Sequence, residues 1–276
     1  MYLAAVIQLN CGSDVEANFA AAELLVRRAA GYGARLIATP ENTNFLGPHD
    51  EKVRRAEALD GPTCSRFSSL AARCGVHLLL GSFNERSSDP QRCYNTSVLF
   101  GPQGERLAAY RKVHLFDVDL GNGQAFTESD TVRGGRETVT VPTELGCLGL
   151  SICYDLRFPE LYRTLVDAGA EVLLAPSAFT LTTGRDHWLP LLQARAIESQ
   201  CYLLAPAQWG RHDDGGLRES YGRAAILDPW GQVLATAPDG CSLALAEIDT
   251  GGVAAARARI PALRHRRFQV SAKSDT

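Results

Sequence analysis

The 276-residue chain has no run approaching the eighteen or so consecutive apolar residues that a membrane-spanning helix needs. Its first segment, MYLAAVIQLN, carries neither a basic stretch nor a small-residue cleavage site, so no secretory leader is expected and the chain reads as cytoplasmic. It lacks strong charge of either sign: a formal net charge of -3 argues against a nucleic-acid surface. The basic cluster from Arg264 to Arg267 is too short to change that, and reads as a solvated or subunit-contacting patch. There is no C-x-x-C pair and no histidine at finger spacing, so the eight cysteines (Cys11, Cys64, Cys74, Cys93, Cys147, Cys153, Cys201 and Cys241) suggest no zinc site. Most are expected to be reduced, small core residues. Neither a phosphate-binding G-x-x-x-x-G-K-[ST] nor a G-x-G-x-x-G after a strand occurs, which leaves nucleotide use without support. GLSIC, Gly149 to Cys153, ends on cysteine where a G-x-S-x-G serine elbow needs glycine. No metal and no cofactor is expected.

What the chain has is apolar material for a full core, 45% hydrophobic against 21% charged residues. AAVIQLN reads as a strand, and Ser13 with Glu16 fits an S-x-x-E capping box opening a helix to about Gly31. ARLIATPE is the next strand, Pro62 to Arg73 a helix closed by Gly75, and VHLLLGSFNE a buried strand. Tyr94 to Phe100 and Glu105 to Val113 form a hairpin across Gly101-Pro102-Gln103-Gly104. Gly149 to Ile152 is a strand, Pro159 to Ala168 a helix and EVLLAPSAF a strand. A helix follows from Asp186 to Gln200, with Pro190 near its fourth position. CYLLAPAQ, GRAAILDPWGQVLATA and SLALAEID close the chain as strands, the middle one folding back around Asp228 to Gly231. No long linker or fixed-period repeat divides the chain.

Apolar strands end in Pro40-Glu41, in Tyr110-Arg111-Lys112 and in Ile152-Cys153-Tyr154-Asp155. Each end places an ionisable or nucleophilic group where a buried strand leaves the core, and in α/β folds such ends gather at one sheet edge. Singly, Glu41 and Lys112 read as surface residues and Cys153 as a packed thiol.

Glu41, Lys112 and Cys153, in that order and at those intervals, resemble the Glu-Lys-Cys triad of the nitrilase superfamily of carbon-nitrogen hydrolases. The resemblance runs from AAVIQLN to about RHRRF, and YRKVHLFDVD, ICYDLRFPELYR, HWLPLLQARAIESQCY and YGRAAILDPWGQVLA carry it. These segments are similar to the branch of deaminated-glutathione amidases and ω-amidases. The resemblance implies an α/β fold, a four-layer-forming αββα sandwich, as one domain over residues 1–270 with a tail at 271–276. It also implies pairing through outer helices into a homodimer or larger assembly. Glu41 would be the proton carrier, Cys153 the nucleophile, and Lys112 with the backbone N–H of Tyr154 the oxyanion hole. Glu128, in FTES, would support the lysine.

Thiolate alone does not explain amide cleavage: an ordinary cysteine is a few per cent ionised at neutral pH, so full ionisation gains about thirtyfold at most. Lys112 favouring the thiolate and facing the oxyanion adds about a hundred- to thousandfold, and general acid-base transfer by Glu41 about 10² to 10⁴. The expected activity is a thiol amidohydrolase cleaving a small acidic amide to acid plus ammonia through a cysteine thioester, with deaminated glutathione giving 2-oxoglutarate and cysteinylglycine. The alternatives are an ω-amidase acting on 2-oxoglutaramate or 2-oxosuccinamate, and, from another class, a non-catalytic metabolite-binding or thiol redox protein. An acidic substrate calls for a cation, for which Arg157 stands nearest to Cys153 in the chain, an ion pair with Glu160 being its plainer role. Ser177, Phe179, Thr180, Thr182, Thr183 and His187 are further pocket candidates, while His114 and His187 also read as satisfied structural histidines. QARAIESQCYLLAPAQWGRH is closer to the deaminated-glutathione amidases and FTLTTG to the ω-amidases. Pro190 and the GNGQ of residues 121–124 fit neither pattern.

Overall fold

The computed structural model describes residues 1–121, 125–215 and 218–270. The tail expected at 271–276, and GNGQ beyond its first glycine, lie outside them. In chain order the elements are β1 (Tyr2–Leu9), α1 (Val15–Gly31), β2 (Ala34–Ala38), α2 (His49–Arg54), α3 (Pro62–Cys74), β3 (His77–Arg86), β4 (Cys93–Phe100) and β5 (Arg106–Arg111). The short pair β6 (Asp117–Asp119) and β7 (Ala125–Thr127) comes next, then β8 (Val139–Thr143), β9 (Gly146–Leu150), α4 (Pro159–Asp167), β10 (Val172–Leu174) and α5 (Leu181–Ser199). The chain closes with β11 (Tyr202–Ala205), β12 (Ala207–Arg211), β13 (Glu219–Tyr221), β14 (Ala225–Leu227), β15 (Val233–Thr236), β16 (Ser242–Ile248), α6 (Thr250–Arg259) and α7 (Ala262–His265).

Strand periodicity builds the layers. Along β1, Ala4 and Val6 face a core shared with Leu148, Leu150, Leu173 and Leu203 of a second sheet, whereas Ala5, Ile7 and Leu9 face Leu25 and Val26 of α1 and Phe67 and Leu70 of α3. Two apolar faces per strand require cover on both sides, and the result is an αββα sandwich. An eight-stranded sheet runs β13-β12-β1-β2-β3-β4-β5 with β16 also paired to β1, against a six-stranded sheet β15-β14-β11-β10-β9-β8. Helices α4 and α5 cover the six-stranded sheet.

Three expectations are corrected. Asp14, not Ser13, caps α1, accepting from the N–H groups of Glu16 and Ala17, while the Ser13 hydroxyl is drawn to Asp213 at 2.6 Å. CYLLAPAQ is two strands rather than one: Pro206 separates β11 in the six-stranded sheet from β12 in the eight-stranded sheet, so this segment ties the layers together. Helix α5 begins at Leu181 instead of Asp186, because the Thr180 hydroxyl accepts from Thr183 N–H and nucleates a turn. Gly184 lets that turn approach β13; a Cβ there would lie 2.2 Å from Cβ of Tyr221. Pro190 is therefore well inside the helix.

Candidate active site

The ends of β2, β5, β9 and β10 converge between the two sheets. Glu41, Lys112 and Cys153 are 3%, 2% and 7% exposed, far below what isolated Glu and Lys side chains show. Lys112 Nζ donates to Glu41 Oε1 at 2.9 Å and to Glu128 Oε2 at 2.8 Å. The other oxygen of Glu41 accepts from Ala178 N–H at 2.9 Å. Asn95 Nδ2 bridges the two carboxylates, 2.9 Å from Glu41 and 3.3 Å from Glu128, and Phe116 N–H donates to Glu128. Nothing in the sequence marked Asn95; it enters from β4, beside the strand end that carries Lys112.

Cys153 opens a 3-10 turn over Cys153–Arg157 with φ of 48°, a left-handed conformation uncommon outside glycine. Asp155, fully buried, holds that turn. It accepts from Ile152 N–H at 2.8 Å, from the Tyr110 hydroxyl at 2.7 Å, and from His114 at both its N–H (3.1 Å) and Nδ1 (2.7 Å). Tyr110 and His114 flank Lys112, so one carboxylate fixes the cysteine turn to the lysine strand. His114 is thereby structural, its ring stacked on Phe158 at 3.7 Å. The N–H of Tyr154, next along the turn, has no acceptor among the described residues.

Burial pushes the Cys153 thiol well above its usual range, the Glu41 charge pushes it further, and Lys112 only partly opposes them, a balance that favours the protonated sulfur. Burial acts against the charge of Lys112, yet Glu128 and Glu41 outweigh it and hold the ammonium protonated. Burial likewise works against Glu128, but the Lys112 and Lys52 charges keep its carboxyl down at about 2. Lys52 on α2 is itself buried, 3% exposed, and forms no hydrogen bond or ion pair among the described residues.

A cleft opens onto this cluster. Glu41, Lys112, Glu128, Cys153, Tyr154, Phe179, Thr180 and Thr183 line it. Four expected residues, Arg157, Ser177, Thr182 and His187, do not. The Arg157 guanidinium lies over the rings of Tyr154 (5.8 Å) and Phe179 (5.5 Å), outside the aromatic wall, with exposed His187 at 3.3 Å from it. Ser177 is fully buried, its hydroxyl donating to Ala175 O. The cation on the cleft wall is instead Arg218, with Glu219, Ser220, Phe116 and Phe126. Chain distance from Cys153 gave no reason to choose Arg218.

The buried charges set an acid dependence. His49, against Arg218, is pushed down to about 4 by burial and by the Arg218 and Lys52 charges. Both His49 and Glu128 have folded values below their ordinary ones, so each contributes stability that is present above the unfolded value and lost as pH falls through the folded one. Urea midpoints are therefore expected to fall progressively from pH 7 to pH 3, the upper part through His49 and the lower through Glu128. An unchanged midpoint over that range would contradict this.

Among the described residues no cluster of three or more His, Cys, Asp or Glu side chains could hold a metal ion, and no helix is long and apolar enough to cross a membrane. All eight cysteines are free, and five are buried. A carbon-nitrogen hydrolase family model matches residues 3–258. The deaminated glutathione amidase of Synechocystis sp. (strain PCC 6803 / GT-S) is 45% identical over 270 residues, covering 97% of this chain and 98% of its own. The deaminated glutathione amidase of Bos taurus is 43% identical over 270 residues, 96% of this chain and 82% of its own. The crystal structure of the Caenorhabditis elegans NitFhit protein superposes with a TM-score of 0.90 at 39% identity; 96% of this chain is covered, which spans 65% of that longer chain.

Proposed function

The chain belongs to the carbon-nitrogen hydrolase family, an amide-hydrolysing family acting here on a small substrate, and from that premise we propose that it hydrolyses deaminated glutathione to 2-oxoglutarate and cysteinylglycine. The observation that carries the chemistry is the single ammonium of Lys112 bridging Glu41 and Glu128 on the floor of the cleft that also holds Cys153. The identity to relatives named for that substrate supports its choice.

Burial and the Glu41 charge favour a protonated sulfur, so Glu41 takes its proton as sulfur attacks the amide carbon. The carbonyl oxygen gains negative charge between Lys112 Nζ and Tyr154 N–H, both fixed before reaction, which is where donors lower the barrier most. Glu41 then passes the proton to the nitrogen, the C–N bond breaks, and a thioester remains on Cys153. Water, deprotonated by Glu41, attacks the thioester; the acid leaves and the sulfur regains its proton. The departing nitrogen of deaminated glutathione is the amine of cysteinylglycine, so ammonia is released only from an unsubstituted amide such as 2-oxoglutaramate. Glu128 and Asn95 act through Lys112 and Glu41, as positioning residues.

A cytoplasmic setting, one domain over residues 1–270 and self-association belong to the same proposal. Exposed Ile197, Trp230 and Ile260 support the last: Ile197 packs beside Gly231, and Trp230 lies under the Arg259 guanidinium. The test of function is a comparison of kcat/KM for deaminated glutathione and 2-oxoglutaramate. A higher value for deaminated glutathione is expected; the reverse order assigns an ω-amidase, and hydrolysis of neither would favour the binding or redox readings.

A further inference from the structure

Arg218 and Ser220 stand together on the cleft wall, and the reaction as derived does not use them. Ser220 is 5% exposed and its hydroxyl lies 2.8 Å from His212 Nε2, while His212 Nδ1 lies 2.7 Å from the carbonyl oxygen of Cys11. A carbonyl oxygen only accepts, so Nδ1 must carry the hydrogen, and a neutral imidazole then has a bare Nε2. Burial favours that neutral ring by holding its pKa below the ordinary value. The Ser220 hydroxyl therefore commits its one hydrogen to Nε2, and its oxygen has only lone pairs to offer a ligand.

Arg218 is fixed beside it. Its Nη2 donates to His49 Nε2, its Nε lies 3.7 Å from Asp214 Oδ2, and its guanidinium sits 5.7 Å from the centroid of Phe126, while Nη1 has no hydrogen bond among the described residues. This part of the cleft thus presents a cation next to an acceptor.

The two ends of deaminated glutathione answer that pattern differently. Its 2-oxo acid end carries a carboxylate next to a ketone, acceptors only, and the ketone oxygen would face the Ser220 lone pairs. Its other end carries a peptide N–H one carbon from a carboxylate, a donor followed by an anion. We propose that Arg218 and Ser220 seat the carboxy-terminal residue of a peptide-like leaving group, Ser220 accepting its N–H and Arg218 taking its carboxylate, with His212 as the positioning residue. This rests on the amidase reading above and assigns which end of the substrate lies where.

The test measures kcat/KM of the native enzyme, Ser220→Ala and His212→Phe on three compounds: deaminated glutathione, 2-oxoglutaramate, and a depsipeptide analogue of deaminated glutathione in which glycolate replaces glycine. In the analogue an ester oxygen stands where the N–H was. The native enzyme should favour the peptide over the depsipeptide by about tenfold, and both variants should bring that ratio to within about twofold. Each ratio is taken within one protein, so a partial folding defect cancels. The loss on deaminated glutathione should exceed that on 2-oxoglutaramate, which has no tail. Because the tail departs with acylation, acylation should slow more than thioester hydrolysis, a difference that a purely structural role would not produce. An unchanged peptide-to-depsipeptide ratio in Ser220→Ala, or equal losses on deaminated glutathione and 2-oxoglutaramate, would overturn the seat and leave the amidase reading standing. A native enzyme that hydrolyses 2-oxoglutaramate but not deaminated glutathione would overturn both the substrate assignment and the seat.

Discussion

Replacing Cys153 by alanine is expected to lower amide turnover by about 10⁴-fold or more, the scale on which loss of a covalent nucleophile acts. No neighbouring group can substitute: Glu41 is engaged by Lys112, Asn95 and Ala178, and the remaining cysteines contribute nothing to the cleft. The fold should survive, because Asp155 holds the turn through Ile152, Tyr110 and His114 rather than through the sulfur. Cys153→Ser should be nearly as inactive, since a hydroxyl gives up its proton to a carboxylate less readily than even this buried thiol. Product release and urea midpoints check both statements. Residual activity above about one per cent of native would mean that the sulfur is not the nucleophile, a loss being expected on the scale of the covalent step.

Lys112→Met should be the most damaging single change overall, because it strikes activity and stability together. On the proposed reaction it removes one of two oxyanion donors, about a hundred- to thousandfold, and the charge that holds Glu41 in place as the base. It also leaves Glu41 and Glu128 buried without their shared cation, a situation that costs about 3–5 kcal/mol at neutral pH. The sign of the pH dependence separates this from general damage. In the native protein Glu128 is held down at about 2, so acid weakens the fold. In the variant Glu128 loses the Lys112 charge, so less of its stability contribution remains to be lost as pH falls from its ordinary value toward about 2. The stability gap between native and Lys112→Met should therefore narrow as pH falls below the ordinary carboxylate value in urea titrations. A constant gap would contradict the shared-ammonium arrangement.

Much of the frame was legible because strands announce themselves. Continuous apolar runs such as AAVIQLN and VHLLLG led to β1 and β3, and the candidate site residues follow the apolar runs of β2, β5 and β9. Residues that act by arriving from elsewhere were not legible. Asn95 is an ordinary strand residue until β4 pairs with β5, and Asp155 reads as a turn carboxylate until its four bonds are counted. Arg157 was favoured for nearness in the chain, but the turn that presents Cys153 places it behind the Tyr154 and Phe179 rings, leaving Arg218, 65 positions away from Cys153 (218 − 153), to meet the cleft.

The most direct measurement is rapid acid quench of the native enzyme during turnover of deaminated glutathione, followed by mass analysis of the peptide that contains Cys153. A sulfur carrying one 2-oxoglutaryl group, absent in Glu41→Gln because its amide cannot accept the thiol proton, is the expected result. Steady product formation with Cys153 unmodified at every quench time would contradict covalent catalysis at this site.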